Sequence, residues 1–261
     1  MKYLTFIIPI FNKIIKIKIL NEFEKISKEI RVIIIDDGSD TFYKKKNKEI
    51  VSQFKNIEFF SLKKNKGQSF ACNYGLKKTR TDYIWFFDSD DYVKINTIKK
   101  VVSIVRKLKG DGYLLPLNNI YNGKIVKKVW PSKRPHDFDD LRNNGQMVNT
   151  SCAIFKTDKI RKIRGWDNHL FGGTDTDLFL RFSRIGVFSF IKTIPVQVDV
   201  SNNNRVSNIL FRQLKAKAYF LNKHWNILTL KRKFYYVYSA VLLFPVFYKI
   251  KNFYHYKKLY V

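Results

Sequence analysis

Four short apolar runs in the first 90 residues constrain the fold of this 261-residue chain most strongly. These runs are rich in β-branched residues and occupy residues 3–10, 31–37, 57–62 and 82–88. Amphipathic segments with helical periodicity separate them. Strands that are apolar on both faces and alternate with helices are typical of a parallel sheet covered by helices. The sequence therefore predicts an α/β fold with a mostly parallel central sheet flanked by helices.

Two acidic clusters, at residues 36–40 and 88–91, directly follow predicted strands. Ligands of open parallel sheets bind beyond the carboxyl ends of the strands, so both clusters should face one crevice. Asp88 and Asp90 point to the same side of the chain, where their oxygens suit Mg²⁺ or Mn²⁺. The alternative for each cluster is an Asp-rich turn. Mutual repulsion of converging carboxylates favours the ligand-binding interpretation.

The C-terminal region is strongly basic in a chain of formal net charge +29, a charge that attracts polyanions. No acid follows Asp199. The cations beyond it are Arg205, Arg212, Lys215, Lys217, Lys223, Lys231, Arg232, Lys233, Lys249, Lys251, Lys257 and Lys258. Cations among aromatic residues suit helices in an anionic membrane interface. Helices packed on the preceding domain, with solvated lysines, are the alternative, and RNA binding is less favoured.

No membrane span or secretion signal is expected. The longest later apolar stretch, residues 234–248, is shorter than the roughly 20 residues a bilayer requires and contains Pro245. The N-terminal run is interrupted by Pro9 and lacks a cleavage site. Cys72 and Cys152 are too far apart in sequence to suggest a disulfide framework or zinc site. We therefore expect a protein of the reducing cytoplasm, with buried thiols.

Five sequence blocks occur in the order and spacing of glycosyltransferase family 2. They are TFIIPIFN at 5–12, VIIIDDGSD at 32–40, NKGQSFACNYGL at 65–76, YIWFFDSDD at 83–91 and GWDNHLFGGTDTDLFLRFSRIG at 165–186. The resemblance covers about residues 3–200. It implies the A-type glycosyltransferase fold and a metal-dependent, inverting glycosyltransferase. The implied reaction moves a sugar from a nucleotide-diphosphate donor, a UDP-sugar, to a glycan or lipid-linked acceptor in bacterial surface polysaccharide synthesis.

The resemblance also implies a set of donor-binding residues. They are Pro9, Phe11, Asp36, Asp37, Asn65, Gly67, Asn73, Asp88, Ser89 and Asp90. The first two would line the nucleotide pocket, and one of the next two would contact the base or ribose. The following three would shape the diphosphate and sugar side. Asp88 and Asp90 would hold Mn²⁺ or Mg²⁺, with Asp90 the more direct ligand.

The last block implies the general base. In this family an acidic pair opens the helix that TDTDLFLR resembles, and its second member matches Asp175. A carboxylate within hydrogen-bond reach can remove the proton of an acceptor hydroxyl. The alternative is an acid that only stabilises the helix N-terminus. Asp177 and Arg181 would orient Asp175 or hold structure.

The chain departs from the family pattern at two positions. Thr174 stands where the family has Glu, and Cys72 stands where it often has Arg. The first departure affects acceptor contacts, and the second removes a possible cation for the diphosphate. Asp91 has two possible roles, in the site or as the cap of the following helix.

These patterns predict a catalytic domain at 1–204, with a nucleotide-binding half at 1–91 and an acceptor half at 92–204. A strand at 149–155 and a small β element near residue 200 complete it. A basic aromatic helical extension would follow at 205–261 and place the protein at the inner face of the cytoplasmic membrane.

Two other functions compete with glycosyl transfer. A sugar-nucleotide nucleotidyltransferase would be expected to carry a glycine-rich phosphate loop after its first strand, and residues 9–16 contain no glycine. A non-catalytic basic module that binds lipid or nucleic acid would leave the carboxylate clusters unexplained.

Overall fold

The computed structural model describes residues 2–146, 148–170, 172–201 and 210–241, with backbone only for 210–212. Its strands are β1 (Leu4–Ile10), β2 (Ile30–Asp36), β3 (Ile57–Ser61), β4 (Tyr83–Phe86), β5 (Gly112–Leu114), β6 (Leu117–Tyr121), β7 (Lys124–Val129), β8 (Ala153–Lys156), β9 (Phe188–Phe190) and β10 (Val196–Asp199). Its helices are α1 (Ile17–Glu24), α2 (Thr41–Ser52), α3 (Gln68–Lys78), α4 (Ile95–Leu108), α5 (Phe138–Asn144), α6 (Thr157–Lys162), α7 (Thr174–Ser183), α8 (Leu210–His224) and α9 (Leu230–Val241).

The central sheet has the strand order β3-β2-β1-β4-β8-β5-β9. Strand β1 pairs in parallel with β2 and β4, and β2 pairs in parallel with β3. Strand β8 is antiparallel to both of its neighbours, whereas β5 and β9 are parallel to each other. Among the described strands of this sheet, only β8 therefore runs against the rest. The predicted mostly parallel sheet is confirmed.

Burial on both faces explains why the first strands are continuously apolar. In β2, Ile34 packs into the main core on one face. Ile33 and Ile35 pack with Ala71 of α3 on the other face. These apolar side chains are thus removed from water on both faces, which stabilises the sheet by about 25 cal/mol per Å² of apolar surface buried.

A second, three-stranded sheet has the order β10-β6-β7. Two strands form where a small β element was expected near residue 200, but they belong to different sheets, because β9 pairs with β5 in the central sheet and β10 pairs with β6. The strand expected at 149–155 is also shorter than predicted. Thr150–Cys152 form a 3₁₀ turn, and only the following residues pair as β8.

The basic C-terminal region contributes two helices, α8 and α9, to the described structure. Phe220 of α8 and Leu228 pack with Leu180 of α7 in a separate apolar cluster. Helix α9 has no buried residue among those described. The predicted boundary at 204 and the rest of the predicted extension, 242–261, lie outside the described residues. No described helix is long and apolar enough to cross a membrane.

Candidate active site

The carboxyl ends of β1 and β2 lie side by side and form one wall of a crevice. Pro9 pairs with Ile35, and Ile10 pairs with Asp36. The backbone N–H of Asp37 donates to the carbonyl of Ile10 at 2.8 Å. Just beyond β1, the side chain of Phe11 is 43% exposed. The predicted nucleotide-pocket residues are therefore neighbours of the first acidic cluster.

Asp36 and Asp37 are both buried, and both organise local backbone. Asp36 accepts hydrogen bonds from the Ser61 hydroxyl at 2.6 Å and the Ser39 N–H at 3.2 Å. Asp37 accepts from the N–H groups of Lys66 and Gly67, at 3.0 and 2.7 Å. Burial raises the pKa of Asp37, and these two backbone bonds oppose that rise. Asp37 thus fixes the segment that leads into α3 against the end of β2.

The start of α3 brings a further side chain to the second acidic cluster. Gly67 precedes the helix at φ +91° and donates its N–H to Asn65 Oδ1 at 3.0 Å. Gln68, the first helical residue, donates from Nε2 to Asp88 Oδ1 at 2.9 Å. Sequence reasoning missed Gln68. Its position at the N-terminus of a helix that begins beside the crevice is the signal that could have found it.

Asn73 joins α3 to the last sequence block. Its Nδ2 donates to the Trp166 carbonyl at 2.8 Å and to Asn168 Oδ1 at 3.0 Å. Its Oδ1 accepts from the Trp166 N–H at 2.8 Å. Gly165 lies so close that a Cβ there would be 2.2 Å from Asn73 Oδ1. Asn73 therefore holds α3 to the segment around Trp166 in this structure. Its contribution to the sugar side of the site stays a prediction.

The second acidic cluster forms a tight turn after β4. The N–H of Asp88 donates to the Ser151 hydroxyl at 3.0 Å, and the N–H of Asp91 donates to the Asp88 carbonyl at 3.1 Å. Asp91 is 2% exposed and accepts the N–H of Asp199 at 3.0 Å. Helix α4 begins at Ile95, after Lys94, so Asp91 does not cap it. Asp91 instead ties the turn to β10.

Two lysines from the segment after β1 reach Asp90. Lys13 Nζ lies 2.8 Å from Asp90 Oδ2, and Lys16 Nζ donates to the Asp90 carbonyl at 2.9 Å. Both lysines line a cavity of about 330 Å³ together with Ser89 and Asp90. The turn that carries Asp88 and Asp90 thus has two lysines beside Asp90.

The carboxylates at this edge interact strongly. Burial raises the pKa of Asp88 well above its usual range, and the charges of Asp91, Asp175 and Asp90 raise it further. Lys13 acts in the opposite direction. Burial also raises the pKa of Asp175, while the Thr150 N–H stabilises its ionised form. Thr150 is next in sequence to Ser151, whose hydroxyl accepts from the Asp88 N–H, so the predicted base and the predicted metal pair lie at one crevice.

Helix α7 sends two carboxylates to different environments. Thr174, its first residue, donates to Asp175 Oδ1 at 3.5 Å. Asp177 is fully buried and accepts from Arg181 Nε at 2.8 Å, with Lys223 and His224 on its other oxygen. Burial alone would raise the pKa of Asp177, but the bonds from His224 and Arg181 hold it far below its usual range.

The two thiols are fully buried. Burial raises the pKa of Cys72 and of Cys152 well above its usual range, and nearby carboxylates add to both rises. Because the thiolate is the reactive form, both are unreactive at neutral pH. The expectation of buried thiols is confirmed.

Asp88 and Asp90 form a donor set that fits a metal completed by substrate. Asp88 Oδ2 and Asp90 Oδ1 accept no hydrogen bond from the described residues. No group of three or more His, Cys, Asp or Glu residues in the described chain is arranged to hold a metal ion. Mg²⁺ and Mn²⁺ accept such sites, since one or two carboxylates suffice when phosphates supply other ligands.

Comparisons with known proteins identify relatives of this chain. The family model described as Glycosyl transferase family 2 matches residues 5–164. An uncharacterized glycosyltransferase of Haemophilus influenzae is 30% identical over 171 residues, covering 63% of this chain and 66% of that protein. The UDP-Gal:alpha-D-GlcNAc-diphosphoundecaprenol beta-1,3-galactosyltransferase of Escherichia coli is 29% identical over 143 residues, covering 52% of this chain and 50% of that enzyme. The matches thus span less than two thirds of each relative.

A solved structure has the same fold. The crystal structure of S. aureus TarS 1-349 in complex with UDP-GlcNAc matches with a TM-score of 0.66 at 16% identity. The match covers 94% of this chain and 82% of that one. The expected A-type glycosyltransferase fold is confirmed.

Proposed function

The chain belongs to glycosyl transferase family 2, and from this premise we propose that it is an inverting glycosyltransferase of bacterial surface polysaccharide synthesis. The donor is a UDP-sugar, and the acceptor is a lipid-linked or polymeric glycan. The convergence of Asp175 with Asp88 and Asp90 in one crevice carries this proposal. Neither a nucleotidyltransferase nor a non-catalytic basic module is favoured by the family match or by this arrangement.

Asp175 is the general base of the proposed reaction. An alcohol becomes an effective nucleophile when a carboxylate within hydrogen-bond reach removes its proton. The Thr150 N–H and Thr174 hydroxyl stabilise the ionised form of Asp175 against the effect of burial. The acceptor oxygen then attacks the anomeric carbon opposite the departing diphosphate, which inverts its configuration.

Asp88 and Asp90 would hold Mn²⁺ or Mg²⁺. When bound, the ion offsets the charge that develops on the departing diphosphate. Gln68 fixes the orientation of Asp88 from the start of α3. Lys13 and Lys16 lie beside Asp90 and supply positive charge at the crevice, where Cys72 offers none.

The nucleotide would lie at the ends of β1 and β2. Exposed Phe11 offers an aromatic face, and Pro9 forms the adjoining wall. Asp36 or Asp37 would contact the base or ribose. The hydrogen bonds from Lys66 and Gly67 to Asp37 position the loop that contains Asn65 beside this pocket.

The basic helices would attach the protein to an anionic membrane surface, the inner face of the cytoplasmic membrane. Three exposed apolar or aromatic side chains of α9 support this proposal: Leu230 and Phe234, each 71% exposed, and Tyr238, 63% exposed. The region after Asp199 also contains no acid. Interfacial helices combine these two properties.

Thermal unfolding with a panel of nucleotides and nucleotide sugars, each with and without Mn²⁺, tests the donor assignment. We expect UDP or a UDP-sugar to raise the melting temperature only when the metal is present. Asp90→Asn should abolish that increase. Asp82→Asn, which changes an exposed carboxylate beside the opposite end of β4, should retain it. Absence of any metal-dependent stabilisation, or its persistence in Asp90→Asn, would contradict the proposed site.

A further inference from the structure

A second cavity, of about 560 Å³, lies outside the donor crevice. It is an open cavity lined by residues of the β10-β6-β7 sheet, the segment after α5, the start of α7 and helices α8 and α9. None of the described residues that line it is acidic, whereas Lys127, Lys217 and Arg232 are cationic. Its electrostatic environment therefore favours an anionic ligand.

Arg232 has an unused hydrogen-bond donor in this cavity. Its Nη2 lies 3.4 Å from the Tyr236 hydroxyl, and its guanidinium lies 5.1 and 5.2 Å from the ring centroids of Tyr235 and Tyr236. Its Nε is buried and finds no acceptor among the described residues. No carboxylate of the described chain forms an ion pair with Arg232. A buried donor without a partner is unfavourable, so an anionic ligand that accepts a hydrogen bond from this Nε would be stabilised.

Gly145 allows Arg232 to occupy this place. A Cβ at Gly145 would lie 2.7 Å from Arg232 Nη2, and Gly145 has φ +77°. Only glycine therefore fits between the end of α5 and the guanidinium without displacing one of them. The absence of a side chain at Gly145 thus leaves room for the guanidinium of Arg232.

An unused acceptor and the proposed base adjoin the same cavity. Asn149 lines it, and its buried Oδ1 accepts no hydrogen bond from the described residues. The next residue, Thr150, donates its N–H to Asp175. Thr176, which follows Asp175, also lines the cavity. A ligand held here would lie beside the residues that position the proposed base.

We propose that this cavity binds the phosphate-bearing part of the glycan acceptor. The proposal rests on the proposed transferase function and adds the chemical class of the acceptor. A phosphate oxygen would accept from Arg232, which presents planar donors suited to phosphate. A sugar or alditol hydroxyl would donate to Asn149 Oδ1, and Tyr235 would contact the carbon skeleton. Either a lipid diphosphate or a phosphodiester-linked polymer could supply this chemistry.

Calorimetric titration of the full chain, with UDP and Mn²⁺ saturating the donor site, distinguishes these sources. The probes are ribitol 5-phosphate, for the polymer, and a short-chain prenyl diphospho-GlcNAc, for the lipid. Uncharged ribitol and GlcNAc are the matched ligands. We expect at least one phosphorylated probe to bind about tenfold or more tightly than its uncharged counterpart, as a charge-assisted hydrogen bond provides. The probe that binds identifies the source.

Two pairs of variants locate the binding. Arg232→Gln should weaken the bound probe about tenfold, whereas Lys231→Gln, at the adjacent exposed position, should not. Lys127→Gln should weaken it about two- to fivefold, and Lys128→Gln, which alternates to the other face of β7, should have no effect. Lys127 is exposed, so its substitution tests the cavity even if Arg232→Gln does not fold.

Three results would overturn the cavity assignment: no preference for phosphorylated probes, equal binding by the cavity and control variants, or competition between probe and UDP. Failure of UDP to bind the unmodified protein would instead contradict the donor site. The probe titration without UDP would still report on the cavity, so the two failures are distinguishable.

Discussion

Two carboxylates on one turn of α7 illustrate how position decides the function of a residue. Asp175 lies in the crevice beside Thr150, and its pKa is raised by burial. Asp177, two residues later, is enclosed by cationic groups, and its pKa is lowered. The same side chain is therefore suited to accept a proton at the first position and to bind helices together at the second.

Asp175→Asn should reduce the rate of transfer about 10²- to 10⁴-fold, the usual contribution of a general base. The amide is isosteric, so UDP binding and the melting temperature should be largely unchanged. Because the pKa of Asp175 is raised above 3.8, activity of the unmodified protein should fall with decreasing pH at values above that ordinary pKa. Initial rates across pH, with calorimetric UDP binding as the control, test this. Residual activity above about one tenth would contradict the role.

Two glycines, Gly67 and Gly38, test the backbone of the loops beside the proposed nucleotide pocket. Gly67→Ala should lower the free energy of unfolding by about 1–3 kcal/mol, since its φ of +91° disfavours a side chain but no described atom lies within 4 Å of the added Cβ. Gly38→Ala should cost more, because its Cβ would lie 2.3 Å from the backbone carbon of Lys64. Urea unfolding measures both. Equal decreases in the unfolding free energy of the two variants would contradict the expected clash with Lys64.

At single positions, the sequence predicted which residue types form the candidate site better than it predicted which residues they contact. The carboxylates of the two acidic turns do lie at the carboxyl ends of their strands. The contacts of Asn73 and Asp91 were not predicted, because their partners, Trp166 and Asp199, are 93 and 108 residues away in sequence. Local pattern contains no information on such distant contacts.

At the scale of elements, the Asp177 cluster joins α7 to α8. Asp177→Asn should lower the free energy of unfolding by about 3–5 kcal/mol, because it removes the buried counter-charge of Arg181 and one of the two carboxylates that pair with Lys223. Asp139→Asn, which removes a surface pair between an acid 70% exposed and Arg142, should cost at most about 1 kcal/mol. Equal effects in chemical unfolding would contradict the structural role of Asp177.

The same cluster gives an expected pH dependence. The folded pKa of Asp177 lies below the unfolded value near 3.8, so its stabilisation is fully present above that pH. It is lost progressively as the pH falls below 3.8, because the carboxylate is protonated first in the unfolded chain and only at still lower pH in the folded state. The difference in unfolding free energy between the unmodified protein and Asp177→Asn should therefore shrink in acid. A constant difference between pH 7 and pH 3 would refute this assignment.

Sequence periodicity predicted the first four strands and their direction, since each is an apolar run that is followed by a helix. It did not predict that β8 is reversed, because the direction of a strand is set by its neighbours rather than by its composition. Nor did it predict that β9 and β10, which are close in sequence, join different sheets. Their actual partners, β5 and β6, lie more than 60 residues earlier.

At the scale of the whole molecule, exposed apolar residues and positive charge coincide on α9. Sedimentation with vesicles of anionic lipid should recover the protein at low salt and lose it at high salt, because salt screens exposed charges. Phe234→Asn should weaken recovery about tenfold, the effect of losing one partly buried aromatic side chain. Phe42→Asn, on α2 and 69% exposed, is the control. Salt-independent or equal recovery would contradict the membrane proposal.

The reversed strand β8 also sets the order in which the protein can assemble on the ribosome. Strands β1 to β4 can pair as soon as they emerge, but the free edge of β4 must wait for β8, whose first residue is Ala153. At about 5–20 residues per second, this delay is roughly 3–13 seconds. During that interval the nascent chain displays an unpaired apolar edge, Tyr83–Phe86, to its surroundings. The turn of Asp88 and Asp90, which follows β4, gains its hydrogen bond to Ser151 at almost the same moment as the edge is covered, so closure of the sheet and completion of the proposed site coincide in biosynthesis.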